Sequence, residues 1–202
     1  MIHKQFFHKS FIASVTAATI TIGGSLLNRT FAQTAPRSPI ASQTKPALTL
    51  QGHIWTIEAL NFSPDGQTLV SGSYDHTVKV WNLNNGKLIR TLDGHKDGVN
   101  DVLISPDGKL FFTAGGTAEP NTSKVIKVWD MKTKKLLRTL KGHTLGVTSL
   151  AITPDGKTLV SGSYDKTIKF WDVDKGIRKR TLTEHTSPVR SNAIRPDGKT
   201  LA

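Results

Sequence analysis

Residues 52–92 read GHIWTIEALNFSPDGQTLVSGSYDHTVKVWNLNNGKLIRTL, and the order of strand and turn signals in them decides the fold. Ile57, Leu60 and Phe62 lead into Ser63-Pro64-Asp65-Gly66. Proline presets φ for the second position of a type I turn, Asp suits the third and Gly takes the fourth. Thr68-Leu69-Val70-Ser71-Gly72-Ser73 follows, then a corner at Tyr74-Asp75-His76. Thr77-Val78-Lys79-Val80-Trp81 alternates with period two and is rich in β-branched residues. Asn84-Asn85-Gly86 signals a hairpin, and Leu88-Ile89-Arg90-Thr91-Leu92 closes the unit. The stretch predicts four short antiparallel strands and no helix.

Moving outward, the same landmarks return. Gly52-His53 recurs as Gly94-His95, Gly142-His143 and Glu184-His185, at offsets of 42, 48 and 42. The Pro-Asp-Gly turns at 64, 106, 154 and 196 keep the same offsets, whereas Trp81, Trp129 and Trp171 are 48 and 42 apart. The six extra residues of the second unit therefore lie between its turn and its Trp. Three landmarks in step define an internal repeat, with units at about 50–92, 93–140, 141–182 and an incomplete 183–202.

Gly-His, Ser-Pro-Asp-Gly, Gly-Ser-Tyr-Asp and Val-Lys-Val-Trp-Asn or Ile-Lys-Phe-Trp-Asp together resemble the Trp-Asp (WD) repeat of β-propellers. The resemblance covers roughly residues 48–202. It implies an all-β fold, a partial (open or truncated) propeller of four-stranded antiparallel blades. Leu48-Thr49-Leu50 resembles the last strand of a unit (compare Arg90-Thr91-Leu92), as if built for a closing blade whose other strands are missing. The fourth unit stops at Thr200-Leu201-Ala202, inside its second strand. The expectation is a piece of a longer product, or an arc that self-associates to close a ring and so protect its strand edges.

The resemblance also implies a hydrogen-bonded set in each blade: His53, Ser71, Asp75 and Trp81 in the first, His143, Ser161, Asp165 and Trp171 in the third. A buried indole N–H needs an acceptor, a hydroxyl can accept and donate onward, and imidazole can link it to a carboxylate. In the second blade His95, Thr113 and Trp129 are present, but the aspartate position falls in the 117–123 insertion. Glu119 is the one carboxylate there, with a longer side chain and a proline after it. His185 has no set to join.

A recurring His, Ser and Asp also suggests a hydrolase triad. A catalytic constellation has no reason to appear once per blade, whereas a structural bond does, so no catalytic residue is assigned. The same periodicity demotes the histidines as metal ligands, because separate blades hold them apart. No metal and no cofactor are expected, and no non-repeating acid, His or Ser marks an enzyme site in the central channel.

What remains is a binding role. In this family the rim of Gly-His loops and corners between second and third strands is the usual partner-binding face. Here it would present Trp55, Tyr74, His76, Lys96, Asn121 of the insertion, Leu145, Tyr164 and Lys166. Exposed aromatics are what interfaces favour, although Tyr74 and Tyr164 can equally pack on neighbouring corners. The expected function is a non-catalytic scaffold for an unknown protein partner. The alternatives are a regulatory or sensor fragment of a longer protein and, behind it, a ligand-handling propeller.

Composition agrees with a globular chain: 202 residues, 37% apolar, 21% charged, no cysteine and a formal charge of +12. Without cysteine there is no disulfide framework, thiolate nucleophile or cysteine zinc site. Much of the positive charge recurs by repeat (Lys79, Lys127, Lys169; Arg90, Arg138, Arg180), which reads as a solvated outer surface. The clusters at Lys132–Lys135 and Arg178–Arg180 lack interleaved aromatics, so nucleic acid is not the expected partner.

Residues 1–32 have no acidic residue, and Lys4 and Lys9 precede the apolar stretch Phe11–Leu27, with Ala32 at a small-residue exit. That is the pattern of a cleaved export signal. The expected location is extracytoplasmic, periplasmic or secreted, the alternative being a membrane anchor formed by residues 11–27. Residues 33–47, with Pro36, Pro39 and Pro46, read as a linker.

Overall fold

The computed structural model describes residues 12–16, 19–23 and 48–202. Three four-stranded antiparallel sheets follow one another along the chain. Blade one holds β4 (Ile57–Phe62), β5 (Thr68–Ser73), β6 (Thr77–Asn82) and β7 (Leu88–Asp93). Blade two holds β8 (Val99–Ile104), β9 (Leu110–Gly115), β10 (Val125–Asp130) and β11 (Leu136–Lys141). Blade three holds β12 (Val147–Ile152), β13 (Thr158–Ser163), β14 (Ile168–Asp172) and β15 (Ile177–Leu182). Within each blade every strand pairs with the next in sequence, so the connections inside a blade are hairpins.

Alternation here does not separate core from solvent. It divides each blade between two neighbours. Val70, Val78, Val80 and Leu92 of blade one meet Val99, Val102, Ile104, Phe111 and Trp129 of blade two in one cluster. Phe112, Ala114, Ile126, Val128 and Leu140 of blade two meet Val147, Leu150, Leu159 and Trp171 of blade three in the next. Each Trp thus points back to the preceding blade. The second strands β5, β9 and β13 are buried almost throughout, because both their faces are covered.

The Pro-Asp-Gly turns close as the sequence predicts. Gly66 N–H donates to Ser63 C=O at 2.8 Å, and Gly108 and Gly156 do the same to Ser105 and Thr153. Successive turns stack, with the Pro64 ring against Gly108, Pro106 against Gly156 and Pro154 against Gly198.

The two ends are covered unequally. Residues 189–202 form only a short hairpin, with Ile194 bridged to Leu201, while Val189 joins Val160 and Ile168 beside blade three. At the other end β3 (Leu48–Gln51) lays Leu50 against Ile57, Leu69 and Trp81. Its missing neighbours are present in part. β2 (Thr19–Gly23) pairs antiparallel with β3, and β1 (Ile12–Thr16) with β2. These strands come from the stretch read above as the middle of an export signal. The rest of that stretch and the 33–47 linker lie outside the described residues.

Candidate functional site

In blade one the loop before β4 carries His53, β5 carries Ser71, the following corner carries Asp75 and β6 carries Trp81. An indole N–H only donates, so Trp81 Nε1–H gives its proton to Ser71 Oγ at 2.9 Å. The serine's own proton then goes to His53 Nε2 at 2.7 Å. The ring proton must therefore sit on Nδ1, which donates to Asp75 Oδ2 at 2.8 Å. Blade three repeats the set, with Trp171 to Ser161, Ser161 to His143 Nε2 and His143 Nδ1 to Asp165 Oδ2 each at 2.8 Å.

The carboxylates are held by more than histidine. Asp75 also accepts the Thr77 N–H at 2.9 Å, the Thr77 hydroxyl at 2.6 Å and the Ile54 N–H at 3.0 Å. Burial by itself raises the Asp75 pKa, but these donors outweigh it and hold the group at about 2. Asp165 is likewise held low, against its burial, by His143, Thr167 and the Thr144 N–H. Thr77 and Thr167 were missed from the sequence, although Asp-x-Thr recurs at 75–77 and 165–167.

Blade two closes its set differently. Trp129 Nε1–H donates to Thr113 Oγ1 at 3.0 Å, and Thr113 Oγ1 lies 2.9 Å from His95 Nε2. Glu119 does not complete the set; it is exposed. Instead His95 Nδ1 meets Ser123 Oγ at 3.1 Å, and the Ser123 N–H donates to Asp97 Oδ2. The inserted loop needs its extra length to bring Ser123 back over the histidine, so the carboxylate acts one bond further away.

Burial lowers the pKa of His53 and His143, with the aspartates opposing, and pushes His95 down to about 4, helped by Lys127. Between pH 6.5 and 4 the unfolded chain takes up a proton at residue 95 that the folded chain refuses. Stability at this position is therefore lost as pH falls, by on the order of 3 kcal/mol across that window. An NMR titration should find the His95 ring neutral at pH 5. A midpoint near 6.5 would rule this out.

Ser71 and Ser161 are fully buried, each capped by an indole, so no substrate can reach either hydroxyl. The sets tie together a loop, two strands and a corner. Among the described residues no group of three or more His, Asp or Glu side chains could hold a metal ion.

The rim residues are arranged unevenly. Trp55 is 57% exposed and Ile54 78%, with the His76 ring edge-on to Trp55 at 5.9 Å. Tyr74 is 42% exposed, with its ring against Gly98 of blade two. Lys96 is exposed and its ammonium reaches the Asn121 carbonyl at 3.3 Å, joining the insertion to the Gly-His loop. Leu145 and Tyr164 are only half-buried, and Lys166 is exposed. Arg190 lies over the Tyr164 ring at 5.1 Å. Tyr74 and Tyr164 therefore pack on neighbours and still show an edge, whereas Trp55 stands out. On the opposite rim, a cleft of about 450 Å³ between the turns of blades two and three is lined by Pro106, Asp107, Leu110, Asp155 and Val173. Of its three aspartates, Asp107 and Asp155 are already bonded within their own turns.

Comparison with known proteins agrees with this geometry. The family model described as WD domain, G-beta repeat matches residues 44–82, 86–130 and 134–172, more than half of the chain. The small ribosomal subunit protein RACK1y of Oryza sativa is 48% identical over 67 residues, covering 32% of this chain and 20% of that protein. The nuclear distribution protein PAC1 of Arthroderma otae is 39% identical over 83 residues, covering 37% and 18%. An uncharacterized WD repeat-containing protein of Synechocystis is 41% identical over 66 residues, covering 32% and 19%. The matched part spans about a fifth of each relative, and none of the three is named as an enzyme.

Proposed function

The chain belongs to the WD domain, G-beta repeat family, and from that we propose that it is a non-catalytic scaffold binding another protein through its Gly-His rim. Proteins of this family mediate protein–protein interaction. The observation that carries the choice of rim is Ile54-Trp55. The other units place Lys96-Asp97, Thr144-Leu145 and Thr186-Ser187 there, so the loop itself does not require an exposed aromatic. A Trp left in water beside His76 and Tyr74 fits the aromatic anchors of interfaces. Export remains part of this proposal, supported by Lys4, Lys9, the apolar stretch and Ala32. A second reading, a regulatory part of a longer protein, is supported by the small share of each relative that the chain matches.

The test compares proteins captured by the full chain with those captured by a Trp55→Ala, Tyr164→Ala double variant. Truncating hot-spot aromatics costs about 2 kcal/mol or more, so bound partners should be lost while the melting temperature holds. If capture survives both changes but fails in a Lys109→Glu, Lys157→Glu variant, the site belongs to the opposite rim.

A further inference from the structure

We propose that Tyr74, Trp55 and Glu58 form a slot for an arginine side chain of the protein partner, an inference that rests on the Gly-His rim being the binding face. The molecule fills one such place itself. At the corner of blade three the guanidinium of Arg190, from the fourth unit, lies over the Tyr164 ring at 5.1 Å, 3.4 Å from the Tyr164 hydroxyl. Tyr74 is the same corner residue in blade one, and the next unit's match to Arg190 is Asn100. Asn100 is committed elsewhere. Its Nδ2 donates to the Gly116 C=O at 2.6 Å and the Val147 C=O at 2.8 Å, which turns the amide to the seam between blades two and three. Tyr74 is accordingly 42% exposed, whereas Tyr164 beneath its arginine is half-buried.

The charge at the slot comes from a β-bulge. The innermost strands β4, β8 and β12 each shift register at one residue, Glu58, Asn100 and Thr148. A bulge re-aims its side chain. In the later blades the re-aimed group stitches one blade to the next, Asn100 as above and Thr148 Oγ1 by donating to the Val189 C=O at 2.5 Å. Other inner-strand side chains stitch by accepting, Asn61 from the Ile104 N–H at 3.1 Å and Asp101 from the Leu150 N–H at 2.7 Å. A carboxylate has no proton to give a carbonyl, so Glu58 cannot copy Asn100 or Thr148, and it stands exposed. The repeat sets it beside Tyr74, because Gly116, which Asn100 grips, is the blade-two match to Tyr74. Burial and, after it, the Glu58 carboxylate push the Tyr74 hydroxyl pKa up. The Trp55 loop is tied to the same corner, with Ser73 Oγ donating to the Trp55 C=O at 3.2 Å and the Tyr74 N–H to the Thr56 C=O at 2.9 Å. Two exposed rings and an exposed carboxylate select a cation. A guanidinium suits them best, since its plane stacks on a ring while its N–H fork reaches the carboxylate.

The test is an NMR titration of the full chain at about 0.15 M ionic strength, where distant charges are screened. The probe is Nα-acetyl-arginine methylamide, and its citrulline counterpart supplies the same shape without the charge. The arginine probe should shift the Trp55 indole and Tyr74 ring signals saturably, and the citrulline probe should not. Glu58→Gln, a change at an exposed side chain, should weaken the arginine response about threefold or more. Equal responses to the two probes, or an unchanged affinity in Glu58→Gln, would overturn the slot. Loss of capture by the Trp55→Ala, Tyr164→Ala chain with no response to the arginine probe would also overturn it and leave the rim reading standing. A saturable, Glu58-dependent response with capture untouched by that double variant supports the slot and removes the rim as the capturing face.

Discussion

Trp171→Ala is expected to lower the unfolding free energy by about 3–5 kcal/mol, the usual range for deleting a buried large aromatic. The indole is 2% exposed and sits among Phe112, Ile126, Leu140 and Leu159, between two blades that share no covalent link there. Its loss opens a cavity and also removes the one donor to Ser161 Oγ. The serine and His143 then lose the direction of their bonds. Ser161→Ala should cost less, about 1–3 kcal/mol for buried partners left unsatisfied, and it should abolish no chemistry. Urea unfolding of the three proteins orders these effects. A Trp171→Ala chain with a wild-type midpoint would show that blades two and three do not depend on this contact. Loss of a hydrolytic turnover in a stable Ser161→Ala chain would overturn the structural role of the set.

Gly116→Ala should be nearly as damaging, for a different reason. Gly116 has φ of 105°, where an L side chain is strained, and a methyl there would stand 1.7 Å from the Ser123 carbonyl oxygen. Strain of this kind costs about 1–3 kcal/mol. The insertion cannot simply move aside. Asn100 Nδ2 holds the Gly116 carbonyl at 2.6 Å, and the Gly146 N–H holds the Thr117 carbonyl at 2.8 Å. Ser123 would have to leave His95, adding about 1–3 kcal/mol for a buried group without its partner. The summed effect is about 2–6 kcal/mol, with hydrogen exchange rising first in residues 95–97 and 116–123. An effect below about 1 kcal/mol would mean that the loop re-routes freely.

The blades were legible because their determinants recur. Pro-Asp-Gly, Gly-His and Trp each appear often enough to be put in register, and each does its work within its own unit. The partner of His95 Nδ1 was not legible, because it depends on the path of an inserted loop and no other unit carries that loop. The inner stitches were hidden for another reason. Asn61, Asp101 and Asn192 bond to groups 43–49 residues away, largely on the backbone, and a backbone acceptor or donor leaves no mark in the sequence. Thr19-Ile20-Thr21-Ile22-Gly23 shows a third limit. Alternating hydroxyl and β-branched residues suit a strand pairing with Leu48–Gln51, and the same low polarity suits an export segment.

The stacking of each turn proline on the next turn's glycine means that one unit's leading face is shaped to its own trailing face. Such a unit is a tile. Tandem duplication of its coding segment adds a blade without any new interface having to arise, and deletion of one rejoins surfaces that already fit. The number of tiles is then free to drift in a gene while the joint between them stays constant. Individuality has to be written elsewhere, at positions the joint leaves alone: an exposed Trp on one tile, a carboxyl on another, a longer corner on a single edge.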